Sequence, residues 1–201
     1  MDQLDVADWR RRISTLYATV RAEPDPPTAH LLWRHGRDDL LSRHRASPFP
    51  TSERDGYGGA DVAAYDPAYR FVVTVEPLEP VIRTVEAGDD PAVDLLRIGR
   101  VNLPGLGTLD VWWLQAYGGG IFLPVRDRAT TSYQGGRYLW DSIKGADLGA
   151  TSDAMVVDLN FSYQPSCAYS PQWTCPLPGP GNTLAVEVPV GERYQPEPDG
   201  A

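Results

Sequence analysis

Lysine is almost absent from this chain of 201 residues, and positive charge as a whole is scarce. Lys144 is the only lysine, and 18 basic residues face 27 acidic ones, which gives a formal net charge of -9. Such a chain lacks the broad basic surface that general nucleic-acid binding requires, and anionic membranes repel an acidic surface. We therefore expect neither nucleic acid nor a membrane as a partner.

Long apolar runs are absent as well. None approaches the roughly 20 residues of a membrane-spanning helix, and the amino-terminal segment MDQLDVADWRRR has no apolar signal core. These two absences predict a cytoplasmic protein. Because that compartment is reducing, we expect its two cysteines, Cys167 and Cys175, to be thiols rather than a disulfide.

Histidine is equally rare. His30 and His35 are five positions apart, which does not place two rings on one helix face, and His44 lies nine positions further on. Ordinary surface or packing histidines are therefore favoured over a metal site. No further histidine or cysteine lies near the cysteine pair, and a metal site needs about four ligands. We predict no metal and no organic cofactor.

What the sequence does contain begins with two helical stretches. Residues 4–21 place Trp9, Ile13, Leu16 and Val20 at helical spacing, which predicts an amphipathic helix that packs this stripe on the rest of the protein. A second helical stretch covers about residues 28–41, and Gly36 is the position at which it would divide into two short helices.

The character changes after residue 68. Short runs rich in β-branched and aromatic residues, such as VIRTVE, VDLLRIGRVNL, GTLDVWWLQAY, GIFLPVR and MVVDLNFSY, alternate with glycine-containing turns. This pattern predicts a mainly β fold, with an N-terminal helical arm packed on an antiparallel β-barrel or sandwich. We expect a single domain with a helical arm (1–46), a loop (47–68), an antiparallel β body (69–193) and a disordered tail (194–201).

The most unusual stretch is DLNFSYQPSCAYSPQWTCPLPGPGN, residues 158–182, which we call the proline-rich loop. It contains five prolines and both cysteines. Proline at this density excludes a helix because it removes hydrogen-bond donors and clashes with the preceding turn. The composition predicts a stiff, ordered loop laid over the end of the sheet.

Four charged residues near strand ends or loops are candidates for chemistry: Asp127, Arg137, Asp158 and Glu192. If residues 155–161 form one strand, Asp158 and Asn160 share a face, since side chains alternate along a strand. That face is either simply solvated or lines a polar pocket. In the second case Arg137 is the expected counter-ion of Asp158, joined to it by a hairpin between residues 138–140 and 155–161.

The two cysteines allow four interpretations. Seven residues separate them, a distance that a disulfide could close, and a nucleophilic thiolate would need a base or cation beside it. The residues favour structural thiols over a disulfide, a disulfide over a nucleophile, and a nucleophile over a metal site.

The carboxyl-terminal half resembles the bacterial domain-of-unknown-function family 1684. The runs FLPVRDRATTSYQGGRYL and VDLNFSYQPSCAYSPQWTCPLPGPGNTLAVEVPVGER carry the resemblance, and WRRR with its helix does so more loosely. The matching positions are Asp127, Thr131, Tyr133, Gly136, Arg137, Tyr138, Asp158, Asn160, Tyr163, Pro165, Cys167, Tyr169, Cys175, Pro176, Asn182, Gly191 and Glu192. The chain departs at Gln164, where the family usually has asparagine, and in the longer segment 144–153.

The family name assigns no activity, so the resemblance implies a site but not a reaction. One hypothesis is an enzyme acting on a small molecule at the mouth of the β body. Asp158 or Asp127 would then be general acid or base, Arg137 would bind an anionic group, and Cys167 would be an optional nucleophile. The binding residues would be Tyr133, Tyr138, Asn160, Tyr163, Tyr169, Cys175, Asn182 and Glu192. The alternative is a non-catalytic ligand-binding or interaction module in which the charged residues only satisfy one another.

Overall fold

The two predicted helices are present in the structure, a computed structural model that describes residues 2–87 and 90–194. Helix α1 (Gln3–Ala22) begins after Asp2, whose carboxylate accepts a hydrogen bond from the Leu4 N–H at 3.0 Å. Helix α2 (Pro26–Arg43) begins after Asp25, whose carboxylate accepts from the Thr28 N–H at 3.1 Å. These are N-caps, which satisfy backbone donors that lack a partner within the helix.

Gly36 does not divide α2. A side chain at this position would place its Cβ 2.6 Å from Leu16 Cδ1 of α1. The glycine therefore lets the two helices approach closely. On the buried side of α1, Ile13, Tyr17 and Val20 belong to the main core, and Trp9 and Leu16 pack against it half-buried. The prediction that this stripe packs on the body is confirmed.

In the described part of the chain, seven strands form two antiparallel sheets. They are β1 (Arg70–Thr74), β2 (Ile82–Ala87), β3 (Asp90–Leu103), β4 (Gly107–Leu114), β5 (Gly120–Val125), β6 (Arg137–Asp141) and β7 (Ala154–Asp158). The larger sheet has the order β2-β3-β4-β5-β6, and β1 pairs with β7 in a separate ribbon. A bridge between Glu76 and Arg100 joins the segment after β1 to β3.

The larger sheet is covered on both faces. In β4 the consecutive residues Val111 and Trp112 belong to different apolar clusters, and so do Phe122 and Leu123 of β5. Neighbouring side chains on a strand point to opposite faces, so each face packs on its own cluster. The helices cover the face that carries Val111 and Leu123.

The mainly β, antiparallel fold with N-terminal helices is confirmed, but the prediction of a barrel or sandwich is met only in part. Within residues 2–87 and 90–194, β2 and β6 do not pair with each other, so the five-stranded sheet stays open. The strand that might have extended it, β7, pairs with β1 instead, with Val157 opposite Phe71.

The predicted strand over residues 155–161 is shorter than expected. Strand β7 ends at Asp158, because the Asp158 carboxylate accepts from the Asn160 N–H and starts a 3-10 turn, Leu159–Phe161. The predicted hairpin between residues 138–140 and 155–161 is therefore wrong. Tyr138 instead forms an isolated bridge with Tyr163, beyond that turn.

The proline-rich loop contains only the short 3-10 turns Leu159–Phe161, Ser166–Ala168 and Pro180–Asn182, as its composition predicts. Of the predicted tail, residues 195–201 lie outside the described residues. Its first residue, Tyr194, is attached to the body by a hydrogen bond from its N–H to the Thr131 carbonyl at 2.7 Å. No helix in the described part of the chain is long and apolar enough to cross a membrane.

Candidate functional site

Arg137, predicted to bind an anionic group, is sealed inside the protein. Its guanidinium donates to the Asp127 carboxylate at 2.8 Å, and both side chains are 1% exposed. It also donates to the carbonyl oxygens of Val188, Val190 and Glu192 at 3.0, 2.5 and 3.2 Å. Arg137 thus ties β6 to the carboxyl-terminal segment.

Asp127 has further donors of its own. It accepts from the Ala129 N–H at 2.7 Å, from the Ser132 hydroxyl at 2.9 Å and from the Val188 N–H at 3.3 Å. The prediction that Arg137 pairs with Asp158 is therefore wrong, because Asp127 on the same segment neutralises it. The pair and its hydrogen bonds form a buried network in which Arg137 Nε has no hydrogen-bond partner among the described residues.

Asp158 has a different set of partners. Tyr65 donates its hydroxyl to Asp158 at 3.1 Å, the Asn160 amide donates at 2.8 Å, and the Arg70 guanidinium lies 3.6 Å away. Burial raises the pKa of Asp158, and the hydrogen bonds from Asn160 oppose that shift. Asp158 and Arg70 border a groove of about 380 Å³ next to β1 and β7.

Asn160 lies beside Asp158 as predicted, although a turn rather than a strand brings them together. Its amide exchanges two hydrogen bonds with the backbone of Asp66, at 2.8 and 2.9 Å. The backbone carbonyl of Asn160 accepts from Nε2 of His30, a packing histidine that is 1% exposed. These contacts join α2, the segment before β1 and the turn after β7, so the role of Asn160 is structural.

Asn182 is also structural. It accepts from the Trp112 indole N–H at 2.8 Å and donates to the carbonyls of Asp110 and Pro124 at 2.8 and 3.0 Å. These bonds fix the end of the proline-rich loop to β4 and β5. Asn182 does not border the cavity described below.

Glu192 forms a buried ion pair with Arg37 of α2. Arg37 Nη2 lies 2.8 Å from Glu192 Oε2 and donates to the Tyr169 hydroxyl at 2.7 Å. Tyr169 in turn donates to the other Glu192 oxygen, and the Arg37 guanidinium lies 4.8 Å from the centre of the Tyr163 ring. The Gln164 N–H donates to Glu192 at 2.9 Å.

Burial alone would lower the pKa of Arg37, but the Glu192 charge and Tyr169 outweigh it and raise that pKa. Arg37 therefore stays protonated. Sequence analysis missed Arg37 among 17 arginines. The signal was its position four residues after Trp33 and four before Leu41, since residues at this spacing share a helix face. Both neighbours are fully buried.

A cavity of about 80 Å³ lies between α1, α2, β6 and the proline-rich loop. Its aromatic walls include Tyr17, Trp33, Tyr138 and Tyr163. The side chains that bring chemistry to it are Arg37, Asp141, Lys144 and Cys175. Of the predicted site residues, it collects Tyr138, Tyr163, Tyr169 and Cys175. The other predicted site residues do not line it: Asp127, Tyr133, Arg137, Asp158, Asn160, Cys167, Asn182 and Glu192.

Lys144, the only lysine, stands at this cavity. Its ammonium lies 3.2 Å from the Asp141 carboxylate, and its side chain is 53% exposed. The Asp141 charge raises the pKa of Lys144. Asp141 is held in place because it also accepts from the Lys144 backbone N–H at 3.3 Å, at the start of the 3-10 turn Ser142–Lys144.

Cys167 and Cys175, which we call the thiol pair, are both free and half-buried. The Cys167 N–H donates to Cys175 Sγ at 3.3 Å. On its other side Cys167 contacts the Tyr133 hydroxyl, with 3.9 Å between oxygen and sulfur. The predicted proximity of the two cysteines is present in the structure, and their thiol state in the cell stays a prediction.

The two sulfurs differ in acidity. The neighbouring Cys167 thiol and N–H, together with the Lys144 charge, lower the pKa of Cys175 to about 6. The Cys175 sulfur and burial raise the pKa of Cys167. Sequence analysis named Cys167 as the optional nucleophile, but the environment favours Cys175, which also borders the cavity.

In the part of the chain that the structure describes, no group of three or more histidine, cysteine, aspartate or glutamate side chains is arranged to hold a metal ion.

Tyr133 packs its ring 5.0 Å from that of Tyr194, and the Tyr138 hydroxyl donates to the Pro176 carbonyl at 2.7 Å. Both tyrosines thus support the loop around the thiol pair.

Comparison with known proteins identifies relatives but no activity. A family model described as a protein of unknown function (DUF1684) matches residues 55–193. The solution NMR structure of an uncharacterized protein from Haloarcula marismortui has 34% sequence identity and a TM-score of 0.59, covering 83% of this chain and 92% of that one. A comparison with curated proteins gave no match. The resemblance predicted from the sequence is confirmed.

Proposed function

The chain belongs to the family of proteins of unknown function DUF1684, and we propose that it binds a small polar molecule in the cavity beneath the proline-rich loop. The observation that supports this is convergence: Arg37, Lys144 and Cys175 come from three separate segments and border one space. Pockets with aromatic walls and a few placed polar groups are the usual form of small-molecule sites.

The size of the cavity limits the ligand. At about 80 Å³ it is far smaller than the roughly 300–1,000 Å³ of sites for drug-sized ligands. We therefore expect a ligand of only a few non-hydrogen atoms, or one that inserts only its head. Lys144 has three N–H donors, which can bind an anionic or strongly polar group. The rings of Tyr138 and Tyr163 would contact its apolar part.

Within this proposal the ion pair of Arg37 and Glu192 fixes the floor of the site rather than binding the ligand. Arg37 Nε and Nη2 and both Glu192 oxygens are engaged with each other, with Tyr169 and with Gln164. A site whose floor is held in this way loses little freedom when a ligand binds, which favours affinity.

A second candidate is the small-molecule enzyme that the sequence analysis suggested, with a changed catalytic group. Asp127 and Arg137 are sealed from the cavity, so acid–base chemistry by that pair has no access to a ligand. Cys175 borders the cavity, and the lowering of its pKa to about 6 supports a nucleophilic thiolate near neutral pH.

The binding proposal is tested by ligand-observed NMR with a library of small carboxylates and polyols. We expect hits whose affinity falls about tenfold or more in Lys144→Met, since a charge-assisted contact is worth roughly 1.5 to 3 kcal/mol. The control is Arg43→Met, which removes a cation whose side chain is 81% exposed and which does not border the cavity. Equal affinity in all three proteins would show that the ligand binds elsewhere.

The single lysine provides an independent readout. An amine-acetylating reagent modifies Lys144 as the only lysine side chain of the protein. We expect a hit from the library to slow this acetylation in proportion to its occupancy of the site. Acetylation that proceeds at an unchanged rate under saturating ligand would contradict the proposed site.

A further inference from the structure

The thiol pair has a geometry that the binding proposal does not use. The Cys167 N–H donates to Cys175 Sγ at 3.3 Å, and Cys175 borders the cavity. Two cysteines held together in this way, one of them at a cavity, can exchange with a disulfide. We propose that Cys175 and Cys167 form a redox centre that reduces small disulfides, in which Cys175 attacks and Cys167 closes the protein disulfide.

The surroundings of Cys175 suit an attacking thiolate. The Cys167 N–H donates to its sulfur at 3.3 Å, and the Lys144 ammonium supplies nearby positive charge. Reactive cysteines are found in partly exposed sites of this kind, whereas inert ones are buried among apolar groups. The low pKa of Cys175 agrees with this assignment.

The surroundings of Cys167 suit the second, resolving step. Cys167 faces away from the cavity toward Tyr133, so an incoming disulfide reaches Cys175 first. Its backbone N–H already contacts Cys175 Sγ at 3.3 Å. Prolines on either side, Pro165 and Pro176, stiffen the loop that carries both residues. The loop therefore keeps the two cysteines next to each other.

The reaction balances in two steps. The Cys175 thiolate attacks one sulfur of the small disulfide, which forms a mixed disulfide and releases the first thiolate. Cys167 then loses its proton and attacks Cys175 Sγ, which forms the protein disulfide and releases the second thiolate. The two released thiolates take up the two protons that the cysteines lose. The small disulfide gains two electrons, which the protein loses, and a small-molecule thiol must re-reduce the protein for a second turnover.

This proposal rests on the proposed function only in requiring that small molecules reach the cavity. The two can fail separately. If Lys144→Met abolishes ligand binding while the thiols remain inert toward disulfides, the binding proposal is supported and the redox proposal is contradicted. If the protein disulfide forms readily but no library compound binds, the redox proposal is supported and the binding proposal is contradicted.

The test uses the full-length reduced protein and hydroxyethyl disulfide, a small uncharged probe. Trypsin cuts after Lys144 and Arg193, so residues 145–193 form one peptide that carries both thiols. We expect this peptide from treated wild-type protein to be two hydrogen atoms lighter and to resist alkylation. Each protein molecule should release two molecules of mercaptoethanol.

Two variants separate the roles. Cys167→Ser should accumulate a stable mixed disulfide on Cys175, because the resolving thiol is missing. Cys175→Ser should form a mixed disulfide on Cys167 at about one tenth of that rate or still more slowly, since the Cys167 thiol is mostly protonated near neutral pH. Circular dichroism checks that both variants fold.

The order of reactivity is also measured without variants, by brief alkylation of wild-type protein with iodoacetamide and mapping of the modified cysteine. We expect Cys175 to be modified first. Faster modification of Cys167 would overturn the proposal. So would wild-type protein that collects one mercaptoethanol on each cysteine without closing the disulfide.

Discussion

Replacing Arg137 by alanine tests whether the ion pair with Asp127 holds the fold together or serves a ligand. Both side chains are 1% exposed, and the two charges lie 2.8 Å apart. Arg137→Ala leaves the Asp127 carboxylate buried without its counter-ion. It also removes the donor to the carbonyls of Val188, Val190 and Glu192, which lie in the segment that carries the Arg37 partner.

Breaking a buried ion pair by removing one partner costs about 3 to 5 kcal/mol, because the remaining charge stays desolvated. The upper half of that range is appropriate here, since three carbonyls lose a donor as well. The remaining donors to Asp127, among them the Ala129 N–H and the Ser132 hydroxyl, prevent a larger loss. Asp127→Asn combined with Arg137→Met should lose less than the sum of the two single changes, because neither charge is then left unpaired.

The assay is urea unfolding followed by the fluorescence of the six tryptophans. With an m value of about 2 kcal/mol/M, the expected loss lowers the urea midpoint by roughly 2 to 2.5 M. Arg43→Ala is the matched control. Arg43 pairs with Asp39 at a similar distance, 2.9 Å, but the two side chains are 81% and 51% exposed. Exposed pairs contribute little, so we expect a change within about 0.5 kcal/mol.

A loss below about 1 kcal/mol in Arg137→Ala would refute the reasoning, because a sealed carboxylate cannot lose its counter-ion at so small a cost. A loss of ligand binding at unchanged stability would also refute it, and would return Arg137 to the role that the sequence analysis gave it.

Three further predictions concern pH, the amino-terminal helix and the cavity lysine. Burial lowers the pKa of His30 from 6.5 to about 4, so the neutral ring stabilises the fold fully above pH 6.5. As the pH falls from 6.5 toward 4, about 3 kcal/mol of stability is lost. His30→Gln should flatten this part of the urea stability profile, and an unchanged slope would argue against it. Deletion of residues 1–22 removes the buried face of α1, which is worth roughly 1.5 to 3 kcal/mol per large side chain, so an unchanged melting temperature would contradict the packing. In Lys144→Met, the pH at which Cys175 alkylation reaches its half-maximal rate should rise above about 6, since the substitution removes a charge that stabilises the thiolate. A midpoint that also moves in Arg43→Met would point to net charge instead.

The local elements of this fold were predictable because neighbours in the sequence decide them. Helix α1 was predicted over residues 4–21 and occupies Gln3–Ala22. Proline density correctly predicted the irregular loop around the thiol pair, and strand-like runs correctly predicted antiparallel sheets. The extent of residues 155–161 was wrong, because the Asp158 side chain competes with the strand by accepting from the backbone two residues later.

Partners across long sequence separations were not predictable in this way. Arg137 could have paired with Asp158 or Asp127 as far as the residues showed, and only the packing of β6 on the carboxyl-terminal segment selected Asp127. The partner of Glu192, Arg37, lies 155 residues away on α2. The sequence also did not decide whether the five-stranded sheet closes into a barrel, because strand alternation shows which face is buried but not which edges pair.

The sequence by itself determined the helices, the antiparallel strands, the stiff loop and the family, because propensity, alternation and motif spacing are properties of adjacent residues. Only the tertiary structure decided that Cys175 rather than Cys167 borders the cavity and that Lys144 stands beside it. It also decided that Asp127 and Arg137 are enclosed. The physical reason is that the pKa of a thiol and the accessibility of an ion pair depend on charges, donors and burial contributed by distant segments. Folding alone brings those segments together.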